Sequence, residues 1–236
     1  MVIGITGPLG CGKDSVIKLI KKRANEKYMY LNTDEIIISL LKPGTTCYNY
    51  VCEVLGEERL NKYKNPQSLR YIYTHNLMLY NPKDYLDFMN AVQPFVSCRI
   101  AKLTVNFPNK LIFIVSNNLY DYDWAEKCDR IIYINTPAKT RRYRLMKKNF
   151  YGTNHYKAIE ELFISEEEQI NKADIIINST DKITLKKEIK KMLKDLLKFK
   201  KFTDSGMIPL PTIEIREKDA NRLKEVKELK ENKEEK

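Results

Sequence analysis

The segment Gly7-Pro8-Leu9-Gly10-Cys11-Gly12-Lys13 decides the fold. Before it, Val2-Ile3-Gly4-Ile5-Thr6 is a short apolar run typical of a buried strand, and after it apolar side chains recur at helical spacing. Glycines between a strand and a helix let successive backbone N–H groups converge on one point. The helix presents its positive end there, and Lys13 adds a full charge. The segment therefore predicts a P-loop that binds a polyphosphate, rather than a glycine-rich turn without a ligand.

The phosphate contacts are expected along the loop and the start of the helix. The predicted binding residues are Gly7, Leu9, Gly10, Cys11, Gly12, Lys13, Asp14 and Ser15. Cys11 has two interpretations. It is either a small residue that fills a tight turn or a thiol made reactive by an electropositive loop.

Asp14 stands where the pattern G-x-x-x-x-G-K-[ST] has a hydroxyl that binds Mg²⁺. One hypothesis is that its carboxylate replaces the hydroxyl as the metal ligand, because carboxylate oxygen also suits Mg²⁺, while Ser15 supports the loop. The alternative is that Asp14 only stabilises the first helical turn, where an acidic side chain is favoured. The sequence leaves both interpretations open.

Composition limits the class of protein. The chain has 236 residues, which fits one α/β domain with extensions. Its net charge of +11 favours anionic ligands but does not distinguish a nucleotide from a nucleic acid. The five cysteines are scattered without zinc-site spacing, which predicts reduced thiols and a cytoplasmic protein. No apolar run approaches membrane-spanning length, so no membrane association is expected.

Apolar runs alternate with helical stretches along the rest of the chain. Further strands are predicted at 28–31, 110–115, 130–134 and 174–177, giving a five-stranded parallel sheet with helices on both faces. Ligands bind at the carboxyl ends of such strands, which places the P-loop, 32–34 and 116–121 at one edge. A long amphipathic final helix is predicted from Ile183, Leu185, Ile189, Met192, Leu193 and Leu196.

We assign residues 1–202 to one domain with a helical insertion at about 45–97. The insertion is rich in tyrosine and is predicted to cover the acceptor side, with tyrosines that either pack internally or contact a ligand. Residues 203–236 contain a proline linker and a charged stretch, which predicts a flexible tail.

Four segments resemble the dephospho-coenzyme A kinases, a family of the P-loop nucleoside-monophosphate-kinase group. The resemblance extends from residue 1 to about 197. Its last match, A-D-x-x-I-x-N, discriminates more strongly than the P-loop, which many families share. The matching segments are Gly4 through Ser15, Leu31-Asn32-Thr33-Asp34, Cys128 through Ile134 with Pro137 and Arg144-Leu145, and Ala173-Asp174-Ile175-Ile176-Ile177-Asn178.

The resemblance implies an ATP-dependent kinase that phosphorylates the ribose 3′-hydroxyl of dephospho-coenzyme A, in the last step of coenzyme A synthesis. It implies that Asp34 accepts the hydroxyl proton, while Lys13, Mg²⁺ and lid arginines neutralise charge on the transferring group. The candidate arginines are Arg141, Arg142 and Arg144, of which Arg144 fits the family pattern best. Residues 149–168 would form a lid, and Asn178 would contact the adenine of ATP. The alternatives are a solvated helix face for Arg144 and a strand cap for Asn178.

The chain departs from the family pattern mainly on the acceptor side. Ile38 replaces an arginine of the family, Gln93-Pro94 replaces a histidine-proline pair, and Phe163 replaces a glutamine. The family's P-L-L-F-E segment after the third strand is also changed, and only its final acid is retained, as Asp121. The acceptor is therefore left open between dephospho-coenzyme A and a (deoxy)nucleoside monophosphate, since Gly-Lys-Asp-Ser also occurs in kinases of that kind. A third possibility is a nucleotide-binding protein without catalysis that has an RNA or protein partner.

Overall fold

The computed structural model describes residues 1–22, 28–62, 69, 81–147 and 161–204. Most of the predicted lid and of the tail lie outside these residues, as do Tyr63, Tyr71, Tyr73 and Tyr80 of the insertion. Over the described ranges, every helix is too short or too polar to cross a membrane.

The described residues contain one parallel sheet of five strands in the order β2-β3-β1-β4-β5, which confirms the predicted fold class. The strands are β1 Val2–Thr6, β2 Tyr28–Asn32, β3 Leu111–Val115, β4 Arg130–Asn135 and β5 Ile175–Asn178. The helices whose two ends both lie in the described residues are α1 Lys13–Lys21, α2 Thr33–Leu40, α3 Thr46–Lys62, α4 Pro82–Asn106, α5 Ala138–Lys147, α6 Glu166–Lys172 and α7 Lys182–Asp204.

Two apolar clusters lie on the two faces of the sheet. All of β3 is buried, and alternate residues face opposite clusters: Ile112 and Ile114 pack with α2, α3 and α4, whereas Leu111 and Phe113 pack with α1 and α7. This two-sided burial explains the continuous apolar run in the sequence. Gly4 allows the Leu119 side chain to pack directly against the backbone of β1, since a Cβ at residue 4 would lie 2.5 Å from Leu119 Cδ2.

The insertion contributes α3 and α4, which pack against each other and against the sheet. Gly56, with φ of 72°, joins two helical segments within α3, and α4 continues through Pro94 to Asn106, nine residues beyond the predicted end at 97. Tyr85 is buried in this cluster, which supports the packing interpretation for that tyrosine, whereas Tyr50 is exposed.

The final helix α7 packs beside α1 through five of the six predicted apolar residues. Ile183 was wrongly included in that stripe, because its side chain is 70% exposed. Residues two positions apart on a helix differ in direction by about 200°, so the side chains of Ile183 and Leu185 point to nearly opposite sides.

Candidate active site

The carboxyl ends of the strands meet at one edge of the sheet and bring the predicted site residues together. The P-loop follows β1, Asp34 lies just after β2, and Asn178 ends β5. Since one strand separates β1 from β2 and one separates β1 from β5, the strand axes are roughly 10 Å apart in each direction. Asp34 and Asn178 therefore lie on opposite sides of the P-loop.

The P-loop backbone requires its glycines. Gly7, Gly10 and Gly12 have φ angles of 146°, 77° and 99°, which other residues rarely adopt. Space is also limited, since a Cβ at Gly10 would lie 2.9 Å from the carbonyl oxygen of Arg141. Gly12 precedes α1 without a side-chain cap, so the first N–H groups of the helix remain oriented toward an anion.

Lys13 extends back across the loop. Its Nζ donates to the carbonyl oxygens of Gly7 at 2.5 Å and Pro8 at 3.2 Å, and lies 3.4 Å from Cys11 Sγ. These bonds hold the ammonium over the loop, where it can attract phosphate oxygens. Cys11 is completely buried, which favours the packing interpretation over a reactive thiol.

Asp34 is an exposed residue in the first turn of α2. Asn32 caps this helix, because its side chain accepts a 2.9 Å hydrogen bond from the Asp34 N–H. The Thr33 hydroxyl donates to the carbonyl oxygen of Val115 at 3.2 Å, which fixes the helix to the end of β3. The carboxylate is thus carried by a rigid element at the side of the loop.

Arg144 and Ser179, the residue after Asn178, lie beside Gly12, the last glycine of the loop. The Arg144 guanidinium donates to the carbonyl oxygens of Gly10 at 3.3 Å, Cys11 at 3.1 Å and Ser179 at 2.8 Å, so it is not a freely solvated residue. Asn178 Oδ1 accepts a 2.9 Å bond from Asn135, linking the ends of β4 and β5. This last bond agrees with the strand-cap interpretation and leaves the adenine contact as a prediction.

Sequence reasoning missed the ion pair between Arg141 and Glu166. Both terminal nitrogens of Arg141 lie 3.0 Å from Glu166 carboxylate oxygens, and Nη1 also donates to the carbonyl oxygen of Thr136 at 2.6 Å. The Arg141 side chain is only 2% exposed. No local signal could reveal this pair, because its members are 25 positions apart in strongly polar segments.

A cavity of about 280 Å³ lies between the P-loop, the end of β3 and the segment before α6. We call it the Gln169 cavity, and its lining includes Pro8, Leu9, Asn117, Phe163, Glu166 and Gln169. Phe163, expected to replace a glutamine of the family, packs edge-on against Tyr85 with ring centroids 6.2 Å apart. Gln169 itself is 4% exposed and was not singled out from the sequence.

Asp121 and Gln169 together anchor the chain at Ile164. Asp121 Oδ1 accepts a 3.0 Å bond from the Ile164 N–H, and Gln169 Nε2 donates to the Ile164 carbonyl oxygen at 3.1 Å. Burial raises the pKa of Asp121 above its ordinary value, and its Oδ2 has no hydrogen-bond partner in the described parts of the chain. The acid that is retained in the sequence therefore positions the segment before α6.

Gln93 serves a structural network. Its Nε2 donates to Asp123 at 2.6 Å and to Ser97 at 3.1 Å, and Lys127 pairs with the same carboxylate. Burial alone would raise the pKa of Asp123, but the hydrogen bonds from Lys127, Ser97 and Gln93 outweigh it and lower that pKa. The departure at Gln93 thus ties α4 to the loop after β3.

The loop residues fit Mg²⁺ only together with phosphate and water. Across the described residues, no three His, Cys, Asp or Glu side chains are grouped to hold a metal ion. Asp14 and Ser15 are exposed at the start of α1 and offer one carboxylate and one hydroxyl. This small donor set suits Mg²⁺, which keeps several waters and shares phosphate oxygens of the substrate.

Comparisons with known proteins agree on one family. A family model described as dephospho-CoA kinase matches residues 1–184. The dephospho-CoA kinase of Prochlorococcus marinus is 24% identical over 193 residues, covering 81% of this chain and 94% of its own. That of Rickettsia prowazekii is 26% identical over 198 residues, covering 83% and 97%. The solved dephospho-CoA kinase of Campylobacter jejuni shares the fold, with a TM-score of 0.58 at 20% identity over 84% of this chain and 98% of its own.

Proposed function

The chain belongs to the dephospho-CoA kinase family of ATP-dependent kinases, and we propose that it transfers the γ-phosphoryl group of ATP to the ribose 3′-hydroxyl of dephospho-CoA. The observation that carries this acceptor is the position of Asp34. Its carboxylate is exposed at the same sheet edge as the P-loop, with one strand between them. A hydroxyl nucleophile between the two would have a phosphate on one side and a base on the other.

The P-loop binds the triphosphate in this proposal. Backbone N–H groups of the loop and of the start of α1 point to the phosphates, and Lys13 adds a charge held in place by Gly7 and Pro8. Arg144 stabilises the loop by donating hydrogen bonds to the carbonyl oxygens of Gly10 and Cys11, and it adds a second positive charge beside Gly12. Asn178 lies on that side and is proposed to contact the adenine of ATP.

The transfer needs one proton acceptor. The 3′-oxygen attacks the γ-phosphorus, the bond to the β–γ bridging oxygen breaks, and ADP leaves with that electron pair. Asp34 accepts the hydroxyl proton as the new O–P bond forms. Lys13 and Arg144 offset the negative charge of the transferring group, so the protein contributes mainly position and electrostatics.

Mg²⁺ would be held by Asp14, with Ser15 beside it, and would neutralise phosphate charge when bound. Location in the cytoplasm is part of the same proposal. The five cysteines are all free, as expected for a reducing compartment.

The test is an ATP-consumption assay of the full chain with dephospho-CoA and common nucleoside monophosphates as separate acceptors. We expect ADP formation with dephospho-CoA and a fall in kcat of about 10²- to 10⁴-fold in Asp34→Asn. Glu35→Gln, which changes the neighbouring exposed carboxylate on α2, is the matched control and should retain full activity.

A nucleoside monophosphate kinase would give a different pattern. Its acceptor is a phosphate oxygen that is already ionised near neutral pH, so it requires no base. ADP formation only with a monophosphate, unaffected by Asp34→Asn, would refute the proposed acceptor. No ADP formation with any acceptor would favour a binding protein without catalysis.

A further inference from the structure

Thr136, the residue after β4, is buried and hydrogen-bonded to the P-loop. Its hydroxyl donates to the carbonyl oxygen of Cys11 at 2.8 Å, although the two residues are 125 positions apart. None of the Thr136 surface is exposed. Thr136 therefore cannot contact a ligand, and any effect of its hydroxyl on the reaction must act through the loop.

The position of the Thr136 hydroxyl is itself fixed from several directions. Pro137 follows, and a residue before proline is restricted to extended backbone. The Thr136 carbonyl oxygen accepts a 2.6 Å bond from Arg141, whose guanidinium is paired with Glu166. The β-branched side chain also has a restricted χ1 angle. The hydroxyl thus has little freedom to leave the carbonyl oxygen of Cys11.

The Cys11 carbonyl oxygen accepts two hydrogen bonds, from Thr136 at 2.8 Å and from Arg144 at 3.1 Å. Since a carbonyl oxygen has two lone pairs, its orientation is set by both donors. The described residues contain no cis peptide bond, and in a trans peptide the C=O and the following N–H point in opposite directions. The N–H of Gly12 is therefore directed away from Thr136 and Arg144.

The direction of the Gly12 N–H matters because of its place in the loop. Gly12 lies directly before α1, with φ of 99° and no side-chain cap, among the N–H groups proposed to bind the phosphates. Hydrogen bonds weaken steeply as the angle at the donor falls. Without the Thr136 hydroxyl, the Cys11–Gly12 peptide could tilt, and its N–H would align less well with a phosphate oxygen.

We propose that Thr136 is a positioning residue for ATP, whose hydroxyl orients the Cys11–Gly12 peptide so that the Gly12 N–H donates to a phosphate oxygen. This inference rests on the proposed function, because it adds a residue to the same ATP site. It predicts an effect on the affinity for ATP and none on the affinity for the acceptor, since the acceptor side at Asp34 is separated from the loop by one strand.

The test compares Thr136→Ser, which keeps the hydroxyl, with Thr136→Ala, which removes it. Calorimetry of the full chain with MgATP gives the Kd, and steady-state kinetics give separate KM values for ATP and dephospho-CoA. We expect the Kd and KM for ATP to stay within about threefold of wild type in the serine variant and to rise about tenfold in the alanine variant. The KM for dephospho-CoA should change by about twofold or less in both.

Thr136→Val adds a steric test and replaces the alanine variant if that protein does not fold. A methyl carbon needs roughly 3.3 Å from a carbonyl oxygen, whereas the hydroxyl lies at 2.8 Å, so the Cys11 carbonyl would shift by about 0.5 Å. The Kd for ATP should then rise at least as much as with alanine.

The matched control is Thr45→Val. The Thr45 hydroxyl also donates to backbone carbonyl oxygens, those of Leu40 and Lys42, but it lies in the connection between α2 and α3. Its replacement should lower Tm and leave the Kd for ATP unchanged.

Equal affinity for ATP in the serine variant and in the variants without a hydroxyl would overturn the proposal. So would a KM for dephospho-CoA that rises as much as the KM for ATP, because that pattern indicates a general loss of packing. Binding of MgATP without phosphorylation of dephospho-CoA would refute the proposed acceptor alone, since calorimetry tests Thr136 without an acceptor. A wild type that does not bind MgATP would refute both.

Discussion

Replacement of Glu166 by glutamine removes the charge that faces a buried arginine. Arg141 is 2% exposed and Glu166 40% exposed, with two N–O distances of 3.0 Å. Loss of one partner of a fully buried pair costs about 3–5 kcal/mol. Water can reach Glu166, and glutamine retains one acceptor, so we expect a loss of about 2 kcal/mol in unfolding free energy. For a domain of this size, that lowers Tm by about 4–8 °C.

The assay is urea or thermal unfolding of the full chain, with Glu168→Gln as the matched control. Glu168 is on the same helix and pairs with Lys172, but both side chains are about half exposed, so its loss should cost about 0.5 kcal/mol or less. In the background Arg141→Met, Glu166→Gln should cost no more than about 0.5 kcal/mol. Equal stability of the two glutamine variants, or an unchanged cost without Arg141, would refute the reasoning.

Three other changes test the P-loop backbone, the carboxylate of Asp14 at the start of α1 and the buried carboxylate of Asp121. Gly10→Ala should lower the free energy of unfolding in urea by about 2–4 kcal/mol, because φ is 77° and the added Cβ would meet Arg141. The control Gly44→Ala, with φ of 83° but open space around the Cβ, should lower it by only about 1–2 kcal/mol. Asp14→Ala should raise the Mg²⁺ concentration for half-maximal ADP formation about tenfold if the carboxylate is a ligand, whereas an unchanged requirement would leave it only a helix-stabilising role. Burial raises the pKa of Asp121 in the folded state above the unfolded value of about 3.9. The wild type should therefore gain stability relative to Asp121→Asn as the pH falls through the folded pKa toward the unfolded value. Urea unfolding at several pH values measures this, and the opposite trend would contradict the assignment.

The fold and the P-loop could be predicted because their signals are local. The loop is seven consecutive residues between a strand and a helix, and the continuous apolar run of β3 indicates burial on both faces. The prediction that Ile183 belongs to the apolar stripe was wrong because the 100° step of the helix places it about 200° from Leu185, on the exposed side.

The candidate site was predictable only in part. Lys13 and Asp34 follow strands whose carboxyl ends must meet in a parallel sheet, so their nearness to one edge follows from the order of elements. The contacts of Arg144 with the loop carbonyl oxygens, and those of Gln93 with Asp123, depend on side-chain positions that no spacing indicates.

By itself the sequence determined the strand-loop-helix unit, the parallel class and the family resemblance, because each depends on local patterns and on the order of those patterns along the chain. Only the tertiary structure decided that Arg141 is neutralised by Glu166 and that Gln169 is buried with a side-chain oxygen that has no hydrogen-bond partner among the described residues. The physical reason is that burial and pairing of polar groups depend on which distant segments meet, and the same residues in solvent would carry no such constraint.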